Sequence, residues 1–377
     1  MKTNLIYFFI FLFCLTGCTQ NNLDKKNYFA TVKNHPPLNQ IRSIDLQAFH
    51  LDQIESSYVA FLDINKNNIL LIDKKFCYVF FFDKDGHFIK RELGQGQGPH
   101  ELMTGMIDGY AKIDTSRYFF IGGGNDCHLY NNEFEIQNRY IINKGERKGK
   151  ANYEKPWIYT LSYEHLLMKN HGEYLYYTVF SEYDDMNFID SPSEYFIKAH
   201  YLCKMNINSG KVENILGKYS SIYDEKKELK QFSFINFDIN NIGNFYISFE
   251  ADSLIYEYDI NFLPIKSYGY AGNNMKNADR VLSTFSDFRE YYEISRNNSG
   301  YYTNIKYINE TELLFRCYTR GYKDLEDGLQ IYKNGILLGD IDVPKGFKIL
   351  GYIAPYYYAT SGIDEENEIV KIFKFKI

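Results

Sequence analysis

Apolar residues along this chain come in short bursts separated by turn residues, and helical periodicity is nearly absent. NILLID (68–73), YVFFF (78–82), YFFIG (118–122), NFYISF (244–249) and ELLFRCY (312–318) are almost continuously apolar over five to seven residues. Runs of that length, rich in β-branched and aromatic residues and bounded by turn residues, predict short strands. Asp85-Gly86, Ser209-Gly210 and Asn334-Gly335 between such runs supply the positive φ angles that hairpins need.

One unit recurs six times: a strand, a polar marker, a turn and another strand. The copies are YVFFFDKDGHFI, CHLYNNEFEI, HYLCKMNINSGKV, LIYEYDINFLPI, LQIYKNGILLG and EIVKIFKFKI, with markers at Asp83, Asn131, Asn206, Asp259, Lys333 and Lys374. A further strand precedes most of them. Residues 18–377 make 360 residues, or 60 per copy, which is room for four short strands. Four-stranded antiparallel sheets repeated radially predict an all-β fold, a six-bladed β-propeller. A pair of β-sandwiches would be spaced less regularly, and the coils of a β-helix are much shorter. The last unit, from Phe347, supplies only KILGYI, YYYATS and EIVKIFKFKI. A fourth strand has to come from elsewhere or an edge stays open. The alternating segment IRSIDLQAF (41–49) is predicted to complete blade six.

Composition agrees, since 36 Tyr and 30 Phe against one Trp favour pleated, half-buried surfaces. The net charge of −6 and pI of 5.8 offer no basic field, so no nucleic-acid partner is expected. The N-terminus adds an address. MKTNLIYFFIFLFCLTGC has one lysine, an apolar run from Leu5 to Leu15, and then small residues before Cys18. This is a signal segment, too short to span a bilayer. Leu15-Thr16-Gly17-Cys18 matches the bacterial lipobox, which predicts cleavage before Cys18 and lipid attachment to it. Each acyl CH₂ buried in the membrane contributes roughly 0.8 kcal/mol. The expected organisation is a signal peptide over 1–17, a lipidated tether over 18–40 containing Pro36-Pro37, and the propeller over 41–377. The expected location is the cell envelope, lipid-anchored at the outer membrane. Cys77, Cys127, Cys203 and Cys317 have no metal-ligand spacing and read as small buried hydrophobes; Cys77 and Cys127 are the pair an oxidising compartment could join.

LGQGQGPHEL (93–102) invites a phosphate-loop reading, which its chemistry rejects. Pro99 has no N–H for a phosphate, Gly-Lys-Ser/Thr is absent, and the segment that follows reads as strand. The stretch is a bend from the rim of blade one to the hub of blade two. It belongs to the face that carries the long connections (143–156, 181–194, 217–231 and 271–300), the last with a helix expected around 277–293. Loop 143–156 is basic and 181–194 acidic. Long loops on a rigid scaffold are where recognition resides. His100 and Glu101, expected at the channel mouth, and Trp157, an aromatic platform, are therefore the candidate binding residues.

The lipobox, the tether, the opening strand and ILLIDKKFCYVFFFDKDGHFIKRELGQGQGPHEL (69–102) together resemble the six-bladed β-propeller lipoproteins abundant in Bacteroidetes. Those proteins are in turn similar to NHL-repeat and TolB-like propellers. Their first blade typically ends in G-x-G-x-G-P-G-E and an aromatic or aliphatic residue. Gly94, Gly96, Gly98, Pro99, Glu101 and Leu102 match this pattern, and His100 departs from it. The resemblance implies fold and envelope location and says little about activity.

No GxSxG, HExxH or CxxC motif is present, and no catalytic residue, metal site or cofactor is predicted. Asp83-x-Asp85-Gly86 reads as a hairpin turn and not as a calcium loop. The expected function is a membrane-anchored recognition module whose long-loop face binds a protein, peptide or glycan. The alternative is a metal-dependent hydrolase or lyase centred in the channel and using inward carboxylates such as Asp63, Glu101 and Asp238.

Overall fold

Strands that are apolar on both sides need cover on both sides, and a ring of sheets provides it. The computed structural model of the chain describes residues 28–98, 100–103, 105–114, 116–142, 160–162, 165–181, 192–225, 230–276, 282, 284–321 and 323–377. They form six antiparallel blades. Blade one is Ala60–Asn65, Asn68–Asp73, Tyr78–Phe82 and Phe88–Leu93; blade two is Ile107–Lys112, Tyr118–Gly122, Asp126–Tyr130 and Ile136–Ile141. Blade three has a divided first strand, Thr160–Leu161 and Met168–His171, then Tyr174–Phe180, Leu202–Asn206 and Val212–Leu216. Blade four is Ile235–Ile239, Phe245–Phe249, Ile255–Tyr258 and Pro264–Tyr268. Blade five is Tyr301–Ile308, Leu313–Thr319, Glu326–Lys333 and Ile336–Pro344. Blade six is Lys348–Ile353, Tyr356–Asp364 and Ile369–Phe375, with Gln47–His50 as its fourth strand.

The core is divided among the blade interfaces. Leu175, Tyr177 and Val179 of blade three pack on blade two, while Tyr176 between them packs on blade four. That is the period-two alternation of a strand, with both faces apolar. The same division recurs between blades one and two, four and five, five and six, and six and one.

The recurring polar markers prove to be turn caps. Asp83 Oδ1 accepts from the N–H groups of Asp85 and His87, and Asn131 Oδ1 from those of Glu133 and Glu135. Asn206 and Asp259 do the same in blades three and four. A short side-chain oxygen closing the turn two to four residues ahead is why Asp or Asn recurs there. Lys333 needs no such oxygen, because Asn334 and Gly335 at φ 53° and 85° make the tight turn themselves. Lys374 lies inside a strand, and its ammonium reaches Asp85 of blade one at 2.7 Å.

The ring closes as expected, with Gln47–His50 pairing Lys374–Lys371 antiparallel. The closing strand is shorter than the 41–49 expected, because the preceding chain is occupied elsewhere. Leu38 and Ile41 donate their N–H groups to Leu337 and Leu338 on the outer strand of blade five. Ile41, Ile44 and Leu46 cover the apolar seam between blades five and six. Further back, Val32 bridges Ser267, and the Asn34 carboxamide exchanges two hydrogen bonds with Gly269, both on blade four. From Ala30 onward the segment expected as a tether is thus a strap across two outer edges. Beyond the closing strand, the buried Asp73 carboxylate accepts from Ser56, Ser57, Lys75 and Phe76 and fixes the entry to blade one.

All four described cysteines are buried free thiols, so the Cys77–Cys127 disulfide does not form. Burial pushes the Cys77 thiol up to about 11, with Asp73 adding to it, which makes it a poor nucleophile.

Candidate functional site: the central channel and its long-loop mouth

The first strands of the blades are neighbours around the ring and line its channel. Antiparallel order puts all their N-terminal ends on one face, and the connections between blades arrive there. Three helices lie on that face: α1 (Pro192–Lys198), α2 (Ser221–Glu225) and α3 (Phe285–Asn298). The helix expected around 277–293 is α3. It starts at a capping box in which Thr284 and Asp287 exchange side-chain and backbone hydrogen bonds. Near its end, Arg296 makes a two-pronged ion pair with the buried Glu250, at 2.8 Å for each nitrogen. Its guanidinium lies 4.2 Å from the Tyr301 ring centre. Burial works against the Arg296 charge, but the Glu250 contacts outweigh it and hold it well above its ordinary range. The pair seats α3 on the rigid ring.

Deeper in the channel, charged side chains interrupt the apolar strands. Asp63 is on blade one, Lys112 on two, Lys169 on three, Asp238 on four and Lys306 on five. Lys169 Nζ is 3.1 Å from Asp238 Oδ1, and Asp238 Oδ2 accepts from the Tyr307 N–H. Lys112 donates to the Ile64 carbonyl, and Tyr110 to Asp63. Burial pushes the Asp63 carboxyl up, but Lys112, Lys306 and Lys169 outweigh it and leave it below the usual carboxylate range. Asp238 follows the same balance, with Lys169 the largest of its lysines. Lys306 stays above its ordinary value, because Asp238 and Asp63 outweigh its burial.

Blade three contributes differently because its first strand is broken. Thr160–Leu161 pairs Val179–Phe180 and Met168–His171 pairs Tyr174–Tyr177, which leaves Thr178 between the two pairings. The Thr178 hydroxyl bridges the gap, donating to the His165 carbonyl and accepting from the Leu167 N–H. His165 sits on this excursion, its ring 5.2 Å from that of Phe234 and its Nε2 3.1 Å from the Ile235 carbonyl. Burial lowers its pKa to about 4, helped by Lys348 and Arg296, so the imidazole is neutral at pH 7. Lys348 begins the first strand of blade six, across the ring from blade three. Its side chain is exposed to solvent, and the surrounding protein pushes its pKa down through desolvation.

Of the carboxylates weighed for a metal, Asp63 and Asp238 reach the channel and Glu101 does not. Glu101 folds back over its own loop, where its carboxylate accepts from the Gly98 N–H at 2.7 Å. A Cβ at Gly96 would fall on that carboxylate, and one at Gly98 would crowd it. The alternating glycines therefore make room for Glu101, which the expected role as crossing points did not include. His100 Nδ1 lies 3.1 Å from the Phe134 carbonyl, in the turn between the third and fourth strands of blade two. Both candidates thus sit against the flank of blade two and not at the channel mouth. Trp157 and Cys18 lie outside the described residues, as does most of the basic and acidic loop pair. Of the acidic loop, Glu194 is described and pairs with Lys198 on α1.

Lys112, Lys169, His165, Arg296, Lys306 and Lys348 were missed by the sequence reading. The available signal was a lysine at an alternating position inside an apolar first strand, as in NIKYI (304–308).

The chain is similar to two solved Bacteroides proteins. One, from Bacteroides vulgatus, is a member of the DUF4221 family; it is 14% identical with a TM-score of 0.68, covering 90% of this chain and 99% of its own. The other is a candidate exported protein from Bacteroides fragilis, 16% identical with a TM-score of 0.53, covering 92% and 98%. At these identities the likeness concerns the fold. No protein-family model and no curated protein matches the chain.

Proposed function

We propose that the protein is a recognition module of the bacterial cell envelope, anchored by lipid on Cys18, whose long-loop face binds a protein, peptide or glycan. The observation that carries this reading is the gathering of α1, α2 and α3 on one face, with α3 clamped to the ring by Arg296 and Glu250. A rigid scaffold presenting elaborated connections on one side is the usual arrangement for binding. The lipobox and the exported-type neighbour support the envelope location. Among the described residues no helix is long and apolar enough to cross a membrane. The metal-hydrolase alternative is disfavoured by Lys169, Lys112 and Lys306, whose charges already answer Asp63 and Asp238.

Two measurements test the reading. Cys18→Ala should move the protein from the membrane to the soluble fraction and abolish palmitate labelling; unchanged membrane association would refute the anchor. Crosslinking and capture from native membranes should lose the partner when 143–156 or 271–300 is shortened in a protein that still folds. Recovery of the same partner from both shortened proteins would refute the face.

A further inference from the structure

We propose that the outer rim of blade four, where the N-terminal strap lies on it, is the side of the ring that rests on the lipid bilayer, through Val32, Leu263 and Ile265. This deepens the envelope reading and rests on lipid attachment at Cys18. It sets the ring edge-on to the membrane and leaves the long-loop face open to a partner from the side.

The first observation is where the chain leading back to Cys18 leaves the ring. The Tyr28 ring meets His200, just before the third strand of blade three, edge-on with centroids 6.5 Å apart. The Phe29 ring lies 5.0 Å from that of Tyr256 on blade four. The Ala30 carbonyl then accepts from the Ser267 hydroxyl, the Lys33 N–H donates to the Ser267 carbonyl, and Asn34 holds Gly269. The exit is therefore pinned at the rim between blades three and four. Ten residue spacings separate Tyr28 from Cys18, a reach of about 35 Å at full extension. Lipid on Cys18 would hold this rim, and not the far side of the ring, near the bilayer.

The second observation is an apolar row at that place. Val32, Leu263 and Ile265 are 47%, 52% and 44% exposed. Leu263 and Ile265 stand two apart at the start of the outer strand, so their side chains fall on one side of it. The parallel bridge from Val32 to Ser267 continues that row on the strap. On blade five, where the strap passes next, the outer strand Ile336–Pro344 exposes no large apolar side chain. Grouped apolar side chains left uncovered at one rim mark a contact surface.

The third is proximity, which separates this rim from the others. Phe88, Ile89, Ile136 and Ile141 are also exposed on the outer strands of blades one and two. Blade one stands opposite blade four in the ring, farthest from the exit of the chain. A few half-exposed side chains bind a bilayer weakly by themselves. An anchor tied close beside them makes the contact intramolecular, at a high effective concentration. Only the row on blade four has that tether next to it.

The test is fluorescence quenching on the lipidated full chain, reconstituted into vesicles of phosphatidylethanolamine and phosphatidylglycerol that carry nitroxide-labelled lipid. An environment-sensitive fluorophore is attached in turn to Ile265→Cys on the proposed side, Phe88→Cys on the opposite rim and Ser286→Cys on α3. The described native thiols are buried and shielded from the label. Quenching at position 265 is expected to be several-fold stronger than at 88 or 286, and Leu263→Cys takes over the measurement if Ile265→Cys does not fold. Equal quenching at the three positions, or the strongest at 88, would overturn the proposal. The strongest at 286 would also overturn it, by putting the long-loop face on the bilayer. Flotation of the same vesicles keeps the two readings apart. Protein that floats without preferential quenching at 265 refutes the rim alone, whereas protein that does not float refutes the anchor on Cys18 and this proposal with it.

Discussion

At the scale of single residues, function and fold turn on side chains that break a local pattern. Glu101 bends back to cap Gly98, so the glycine loop holds its shape through one carboxylate. Glu101→Ala should lower stability by about 1–2 kcal/mol, the usual loss for a partly buried hydrogen bond to a charged group. Gly96→Ala should cost at least as much, because its Cβ would displace the same carboxylate. Urea denaturation checks both, and an unchanged midpoint in the two variants would mean the loop does not depend on the cap. His165 makes a prediction of opposite character. Its folded pKa of about 4 lies below the ordinary histidine value of 6.5, so between those limits the unfolded chain binds the proton and the folded ring does not. Stability is therefore full above pH 6.5 and lost as pH falls toward 4, by up to roughly 1.4 kcal/mol per pH unit. His165→Gln should flatten that slope when unfolding free energy is measured from pH 7 to 4.5. An equally steep slope in the variant would assign the loss to other groups.

At the scale of elements, the decisive piece is the N-terminal strap with its closing strand. Residues 30–41 satisfy exposed edges on blades four and five, and Gln47–His50 then supplies the missing edge of blade six. The two parts contribute unequally. The strap makes a handful of partly exposed hydrogen bonds, whereas the closing strand adds a ladder and packs Phe49 against the interface of blades six and one. A chain beginning at Gln40 should melt slightly lower than one beginning at Tyr28, with one cooperative transition. A chain beginning at Leu51 should lose on the order of 5 kcal/mol, from several backbone bonds and one large aromatic, and leave an edge open to association. Differential scanning calorimetry of the three separates the contributions, and equal melting of the last two would show that the strand is not what closes the ring.

At the scale of the whole molecule, closure does more than remove an edge. It makes every interface between blades an apolar seam, so no blade keeps a face for water and the channel wall is held from all sides. That rigidity lets ionisable groups from different blades face one another across the axis: Asp63 of blade one feels lysines of blades two, three and five. The ring also separates two surfaces by role. One carries short turns capped by Asp and Asn, and the other carries α1, α2, α3 and the channel mouth with Arg296, His165 and Lys348.

Much of this was legible in the sequence, and the boundary is a physical one. The strands, the blade count, the turn caps at Asp83, Asn131, Asn206 and Asp259, and the return of the N-terminus to blade six follow from local rules. Apolar runs need cover, short polar side chains close turns, and an odd strand must pair. The sequence by itself also places the long connections on one face, because antiparallel order alternates the ends of strands. What tertiary structure alone decided is where single side chains point. A one-residue change in register flips a strand residue from wall to core, and register shifts occur between Tyr302 and Asn304 and between Ile349 and Gly351, in strands that line the channel. The break around Thr178 that presents His165, the fold of Glu101 onto its own glycines and the seating of α3 by Arg296 on Glu250 depend on contacts that no local pattern announces. The physical reason is that they are settled only as six blades close around one axis.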